Sequence, residues 1–367
     1  MRIVLVSPFN IGNYGAMLQG WALRTTLERM GHDVKHLNAT WLWHGIRGWW
    51  QVLKSRSLTN MIGKIRINKM MRSAYATMGA PPMTVPYKSL KSLKAHPPEA
   101  DCYIAGSDQI WDEEWFKLGW NVDVILLNFG GGSVMRLAYA PSTSRPHWSE
   151  RGVCCARKYA PLFKRFKAIS AREESGCHLI QSIFGCCCSW VPDPTLLLGY
   201  DDYLSMIGED RDAIGSGDHI FVYLLGFDER RRIEMVHKIC NERMKIDPSV
   251  NEVHRVKVPA KLDDWLFEIA SSRFVVTNSF HGLCFALLFH RPFVMVGFDG
   301  DESWRNERVK SLLGRLNMAD VLIASYDALQ VAQLVQKKFN WEEVDGRVEE
   351  FRQDGVSFLL RNLAVCG

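Results

Sequence analysis

Thr277-Asn278-Ser279-Phe280-His281-Gly282 gathers an imidazole, an amide and two hydroxyls within six residues. An imidazole changes charge near neutral pH, so His281 can hold or deliver a proton. Gly282 lets a ligand approach the backbone closely. For a lone histidine at a turn, a capping or core role is the alternative. The neighbours favour contact with a ligand instead, because the residues that follow are apolar enough to form a buried helix.

The elements that would position this cluster can be read from its flanks. Phe274–Thr277 is short, apolar and rich in β-branched residues, so it predicts a buried strand. Leu283–Phe289 predicts a packed helix, stopped before Pro292, and Phe293–Val296 predicts the next strand. Strand, turn, helix and strand make one unit of a parallel α/β sheet. The polar residues then lie at the strand's C-terminal end and at the helix start, where backbone N–H groups and the helix dipole favour an anion.

The same pattern recurs earlier. Ile3–Ser7 predicts a strand, Met17–Met30 a helix closed by Gly31, and Val34–Leu37 the returning strand. The loop Pro8–Ala16 has Gly12 and Gly15 without the dinucleotide-binding order. Asp101–Ala105 predicts a strand that runs into Gly106-Ser107-Asp108-Gln109-Ile110-Trp111. Val124–Phe129, Met135–Ala140 and Ala168–Ser170 predict further strands, and Arg157–Phe166 a helix. After Leu198 a polar stretch ends in Gly215-Ser216-Gly217-Asp218, read as the domain boundary. Ile220–Leu225 then predicts the start of a second sheet. Helices are expected over Glu229–Met244, Asp263–Ser271 and Tyr326–Phe339, and a long amphipathic one over Glu342–Leu363.

At 367 residues the chain has room for two domains, and 47% hydrophobic with 23% charged residues suits a water-soluble protein. With no leader before the first strand and no long apolar span, the expected location is cytoplasmic. The ten cysteines are then expected to be reduced. No C-x-x-C pair occurs, and no ligand cluster in the sequence suggests a metal. From Val34 to Pro98 there are eleven Lys or Arg and no acidic residue, which leaves 34 basic against 40 acidic elsewhere. Trp41, Trp43, Trp49 and Trp50 stand before Lys54, Arg56, Lys64, Arg66, Lys69 and Arg72. Basic residues with tryptophan at one edge suit an anionic lipid surface, and a solvated helical insertion is the alternative. No nucleic-acid-binding module accompanies them.

Five clusters together resemble the polysaccharide pyruvyl transferase family. They are Asn13-Tyr14-Gly15-Ala16-x-Leu18-Gln19, Gly106-Ser107-Asp108-Gln109-Ile110-Trp111, Ser170-Ala171-Arg172-Glu173-Glu174-Ser175-Gly176, Asp193-Pro194-Thr195 and Thr277-Asn278-Ser279-Phe280-His281-Gly282. They occur in the family's order. After Ala140-Pro141-Ser142, where the family commonly has a Phe or Gly, this chain departs with Thr143-Ser144-Arg145. The resemblance implies two Rossmann-like domains facing a cleft, as in GT-B glycosyltransferases. The expected division is an acceptor-side domain over 1–198 with a basic insertion at about 41–98, a donor-side domain over 218–340, and a C-terminal helix over 341–367.

The resemblance also implies phosphoenolpyruvate as donor, a saccharide as acceptor and a pyruvate ketal as product, with no cofactor and no metal. His281 and Asp108 become the catalytic candidates. Arg172, Asn278, Ser279, His281, Gly282, Arg305, Arg308 and Lys310 become donor-binding candidates. Asn13, Tyr14, Asp108 and Gln109 become acceptor-binding candidates, with capping of its own loop as the alternative for Asp108. A phosphate and a carboxylate call for arginine forks, lysine or a helix N-terminus, and protonating the donor's methylene carbon calls for an acid such as histidine. The acceptor is expected to be lipid-linked, with the enzyme at the inner face of the membrane. Two other classes stay open: a nucleotide-sugar glycosyltransferase, for which Asp299 to Glu302 could hold ribose hydroxyls, and a non-catalytic sugar-binding protein.

Overall fold

A computed structural model describes residues 1–8, 13–39, 70–119, 121–207, 214–215, 217–226, 229–255 and 261–364. Trp41, Trp43, Trp49, Trp50 and the basic residues from Lys54 to Lys69 lie outside the described residues, as do positions 9–12. Residues 70–78 are helical, with Met70, Ala74 and Met78 buried at helical spacing and Arg72 exposed. The chain divides into two units, Met1–Leu197 with Phe351–Gly367, and Leu198–Glu350.

In the first unit six parallel strands lie in the order β2-β1-β3-β4-β5-β6. They are β1 (Arg2–Val6), β2 (Asp33–His36), β3 (Cys102–Ala105), β4 (Met135–Ala138), β5 (Ala168–Ala171) and β6 (Ser189–Trp190). Crossover helices cover both faces, so the central strands are apolar on both sides. One face packs on Trp111, Phe116, Phe163 and Phe184, with the last two rings stacked at 3.7 Å. The other face, Ile3, Leu5, Leu137 and Tyr139, packs with Phe358, Leu359 and Leu363 of the last helix, Trp341–Leu363.

Two expectations fail here. The run predicted as a strand over Val124–Phe129 begins inside the short helix Val122–Ile125, and Leu127 turns out of it with φ 55°. A brief apolar run buried all round carries no period to separate strand from helix. The helix predicted over Arg157–Phe166 is divided into Glu150–Arg157 and Ala160–Phe163. Pro161 sits in the first turn of the second piece, where its missing N–H costs nothing.

In the second unit five parallel strands lie in the order β11-β10-β9-β7-β8. They are β7 (His219–Tyr223), β8 (Glu252–Arg255), β9 (Phe274–Thr277), β10 (Phe293–Val296) and β11 (Leu322–Ile323). The polar stretch after Leu198 belongs to this unit, because Tyr203 is fully buried with its ring edge-on to Phe285 at 4.8 Å. Both sheets place their second strand outside their first. The chain order therefore reverses between β1 and β3, and again between β7 and β9. In open α/β sheets ligands bind beside such a point, at the strands' C-terminal ends.

Candidate active site

Beyond the C-terminal ends of β7 and β9, a short hydrogen-bonded frame holds the Thr277–Gly282 cluster. Thr277 Oγ1 donates to the Tyr223 carbonyl at 2.6 Å and accepts from Ser279 N at 3.0 Å. Asn278 spans to the neighbouring loop, where Oδ1 accepts from Leu225 N and Nδ2 donates to Leu225 O, both at 2.7 Å. Ser279 caps the helix Phe280–Leu288, its Oγ accepting from Gly282 N at 3.2 Å. Thr277, Asn278 and Ser279 are buried and committed to this frame. Gly282 is required by packing, since a Cβ there would stand 2.7 Å from Thr277 Oγ1.

Every residue of that helix is buried except His281. The frame thus presents one titratable side chain at a helix N-terminus, with Phe280 edge-on to its ring at 5.5 Å. Two arginines stand beside it on aromatic platforms. Arg305 lies over the Phe298 ring at 4.2 Å and donates to the Gly226 carbonyl at 3.2 Å. Arg308 lies 5.9 Å from the Phe280 ring centroid. Asn306 fixes the segment between them by a two-way bond to Phe298, at 2.8 and 2.7 Å. Lys310 is exposed. It sits two residues beyond Arg308 on the helix Glu307–Arg315, which turns it to a different face. Arg231, which no sequence motif singles out, forks onto Asp299 at 3.0 and 2.9 Å. That hydrogen bond holds the Asp299 carboxyl below its ordinary pKa.

In the first unit, three of the sequence clusters converge on one buried ion-pair network. Arg172 Nη1 meets Asp193 Oδ2 at 2.7 Å, its Nε meets Glu173 Oε1 at 3.4 Å, and its Nη2 lies 4.0 Å from Asp108 Oδ1. Only 1% of the Arg172 side chain is exposed. Asp193 is held further by Thr195 N at 3.0 Å, Thr195 Oγ1 at 2.8 Å and Ser107 Oγ at 3.3 Å. Burial opposes the charge on Arg172, but Asp193, Glu173 and Asp108 outweigh it and raise its pKa. A guanidinium already facing three carboxylates has little attraction left for an anion. The sequence placed Arg172 by its position after a strand, which carried no information about these partners.

Asp108 adopts φ 81°, and Ala140 and Ser144 also have positive φ. Asp108 Oδ1 accepts from Gln109 N at 2.9 Å, and its carbonyl accepts from Ile110 N and Ser142 N, each at 2.8 Å. Strained backbone at adjoining strand ends marks a place where the surroundings dictate conformation. Asp108 keeps 18% of its side chain exposed. Asn13 is exposed and caps the helix Tyr14–Arg29 by accepting from Ala16 N at 3.3 Å. Tyr14 is buried, while Gln109 is half-buried and gives its carbonyl to Trp115 Nε1 at 3.1 Å. Neither edge gathers metal-ligand atoms among the described residues. One such group, His219, His254 and Glu268, lies at the opposite edge of the second sheet.

Two parallel α/β units, each with polar groups beside the reversal of strand order, define a GT-B-like protein. Residues 13–300 match the family model for polysaccharide pyruvyl transferases, and the chain belongs to that family. The family is one of transferases in polysaccharide biosynthesis. No curated protein matches the sequence significantly. Among solved structures, an S. aureus MnaA–UDP co-structure matches with TM-score 0.54 at 11% identity, covering 99% of this chain and 95% of that one. A putative UDP-N-acetylglucosamine 2-epimerase from Listeria monocytogenes matches with TM-score 0.52 at 12% identity, covering 97% and 90%. At these identities the likeness concerns the fold. Among the described residues, no helix is long and apolar enough to cross a membrane.

Proposed function

We propose that the protein transfers the pyruvyl group of phosphoenolpyruvate to a saccharide, forming a pyruvate ketal across two hydroxyls. The observation that carries this reading is His281, the one half-buried residue of an otherwise buried helix, whose first residue, Phe280, faces Arg308 while Arg305 holds Gly226, next to the Leu225 that Asn278 binds. The donor's phosphate and carboxylate match two guanidinium groups and a helix N-terminus. His281 delivers a proton to the methylene carbon, which makes the adjacent carbon electrophilic. One sugar hydroxyl adds there, phosphate leaves, and a second hydroxyl closes the ketal. The products are the ketal and inorganic phosphate, so the reaction balances without redox chemistry.

Asn278, Ser279 and Gly282 act by framing this edge, and Lys310 has no part in it. In the first unit, Asn13 and Asp108 are assigned to the acceptor, with Asp108 as the base for a hydroxyl. Arg172 is assigned a positioning role, holding Asp108 and Asp193. The basic, tryptophan-bearing sequence supports a lipid-linked acceptor at the inner face of a membrane. Flotation with anionic liposomes at low and high salt tests that point.

The test of the chemistry is phosphate release from phosphoenolpyruvate with a panel of lipid-linked or nitrophenyl sugars. His281→Ala is expected to lose at least about a hundredfold in rate with folding intact. Near-normal turnover in that variant would remove the assignment. The competing reading, a nucleotide-sugar glycosyltransferase, needs a carboxylate for ribose hydroxyls. Asp299 is already taken by Arg231. Stabilisation by a nucleotide and not by phosphoenolpyruvate in a thermal-shift assay would favour that reading.

A further inference from the structure

At the end of the second sheet remote from His281, β7 begins with His219 and β8 carries His254 two residues into the strand. The helix Leu262–Ser271, which leads to β9, brings Glu268 against both. Glu268 Oε2 lies 2.9 Å from His254 Nδ1 and 3.4 Å from His219 Nε2. All three ligand atoms fall within 4.8 Å of one another. On a tetrahedral zinc with bonds of about 2.0–2.1 Å, neighbouring ligand atoms stand about 3.3 Å apart. The two oxygen-to-nitrogen distances bracket that edge.

Two further observations point to a cation. His219 is 6% exposed, and its buried Nε2 has only the long 3.4 Å approach of Glu268 Oε2 to satisfy it. A buried ring nitrogen so loosely paired is costly unless a closer partner joins it. The outward nitrogen of His254, Nε2, lies 2.9 Å from Glu252 Oε2. A carboxylate on the second nitrogen is what orients a metal-ligating histidine. The two rings are stacked, with centroids 4.0 Å apart and planes inclined by 20°.

We propose that His219 Nε2, His254 Nδ1 and Glu268 Oε2 form a divalent transition-metal site of the zinc type, with Glu252 orienting His254. The fourth position is left for water. Two imidazoles with one carboxylate suit zinc and disfavour magnesium, which prefers an all-oxygen shell. The ion ties the start of β7 and the third residue of β8 to the helix before β9. Its role is structural, because His281 stands at the other end of the same sheet.

The test uses the full chain, dialysed against Zn²⁺ alone and in parallel against Mg²⁺, with bound metal measured by elemental analysis. Stoichiometric zinc and a zinc-dependent rise in Tm are expected. His254→Gln and Glu268→Gln alter residues that are not fully buried, so both should fold, as circular dichroism will report, and lose both effects. Glu252→Gln should weaken zinc binding about 10–100-fold, as removal of such an orienting group does. Failure of the unaltered protein to retain zinc overturns the proposal. So does equal retention of magnesium, or retention of zinc undiminished in His254→Gln and Glu268→Gln.

Discussion

Replacing Arg172 by methionine separates a structural clamp from a donor ligand. The substitution keeps an unbranched apolar stem and deletes the charge that faces Asp193, Glu173 and Asp108. Asp193 and Glu173 are 0% and 1% exposed at the side chain, so neither can turn to water. Removing one partner of a buried pair costs about 3–5 kcal/mol, because the charge left behind is uncompensated. Asp193 keeps its bonds from Thr195 and Ser107, which keeps the loss within that range. For a unit of this size each kcal/mol moves Tm by about 2–4 °C, so Arg172→Met should fall by roughly 6–20 °C. Urea unfolding and differential scanning calorimetry measure it. Adding Asp193→Asn should restore part of the loss, since coupled partners are not additive. A Tm within a degree or two of the parent, together with a weakened apparent constant for phosphoenolpyruvate, would refute the clamp and return Arg172 to the donor.

Gly282→Ala should reduce turnover by about a hundredfold through displacement of Thr277 and the frame around His281, read by phosphate release against urea stability. Gly355→Ala should destabilise the first unit by about 1–3 kcal/mol, because its Cβ would meet Tyr139 Oη at 2.5 Å and Pro192 Cδ at 3.0 Å. Burial holds His36 down to about 3, aided by Arg24, against an ordinary 6.5. Between those values the unfolded chain binds a proton that the folded chain refuses, so stability declines as pH falls through that window. In His36→Gln that decline, followed by urea unfolding across pH, should be shallower by up to one proton, and an unchanged slope would rule out the buried neutral imidazole.

What the sequence revealed depended on periodicity and on local chemistry. β9, the helix after it and β10 were legible because an apolar run, a polar turn and Pro292 follow one another within a few residues. Val122–Ile125 was illegible as a helix because a single turn of three buried apolar residues and Asp123 is too short to show a period. His281 could be singled out from its position alone. The commitment of Asn278 to Leu225, 53 residues away, could not. The same holds for Arg172, whose partners come from Asp108, Glu173 and Asp193 on three different strand ends. Sequence order showed that these clusters mattered, and only the parallel sheet shows that they meet. The ligand atoms of His219, His254 and Glu268 are likewise spread over β7, β8 and a helix, so no spacing motif announces them.

The helix Trp341–Leu363 completes a core whose other side was laid down long before. Phe358, Leu359 and Leu363 cover Ile3, Leu5, Leu137 and Tyr139, and Arg352 Nε closes on the Leu196 carbonyl at 2.8 Å. During synthesis the first unit therefore waits from residue 197 to residue 351 for its last piece. At ribosomal speeds that interval is roughly 8–30 s. Throughout it, the part of that sheet face destined for Phe358, Leu359 and Leu363 stays uncovered. The nascent protein should accordingly depend on a holding chaperone for the first sheet and not for the second, whose strands and helices all lie within one uninterrupted stretch.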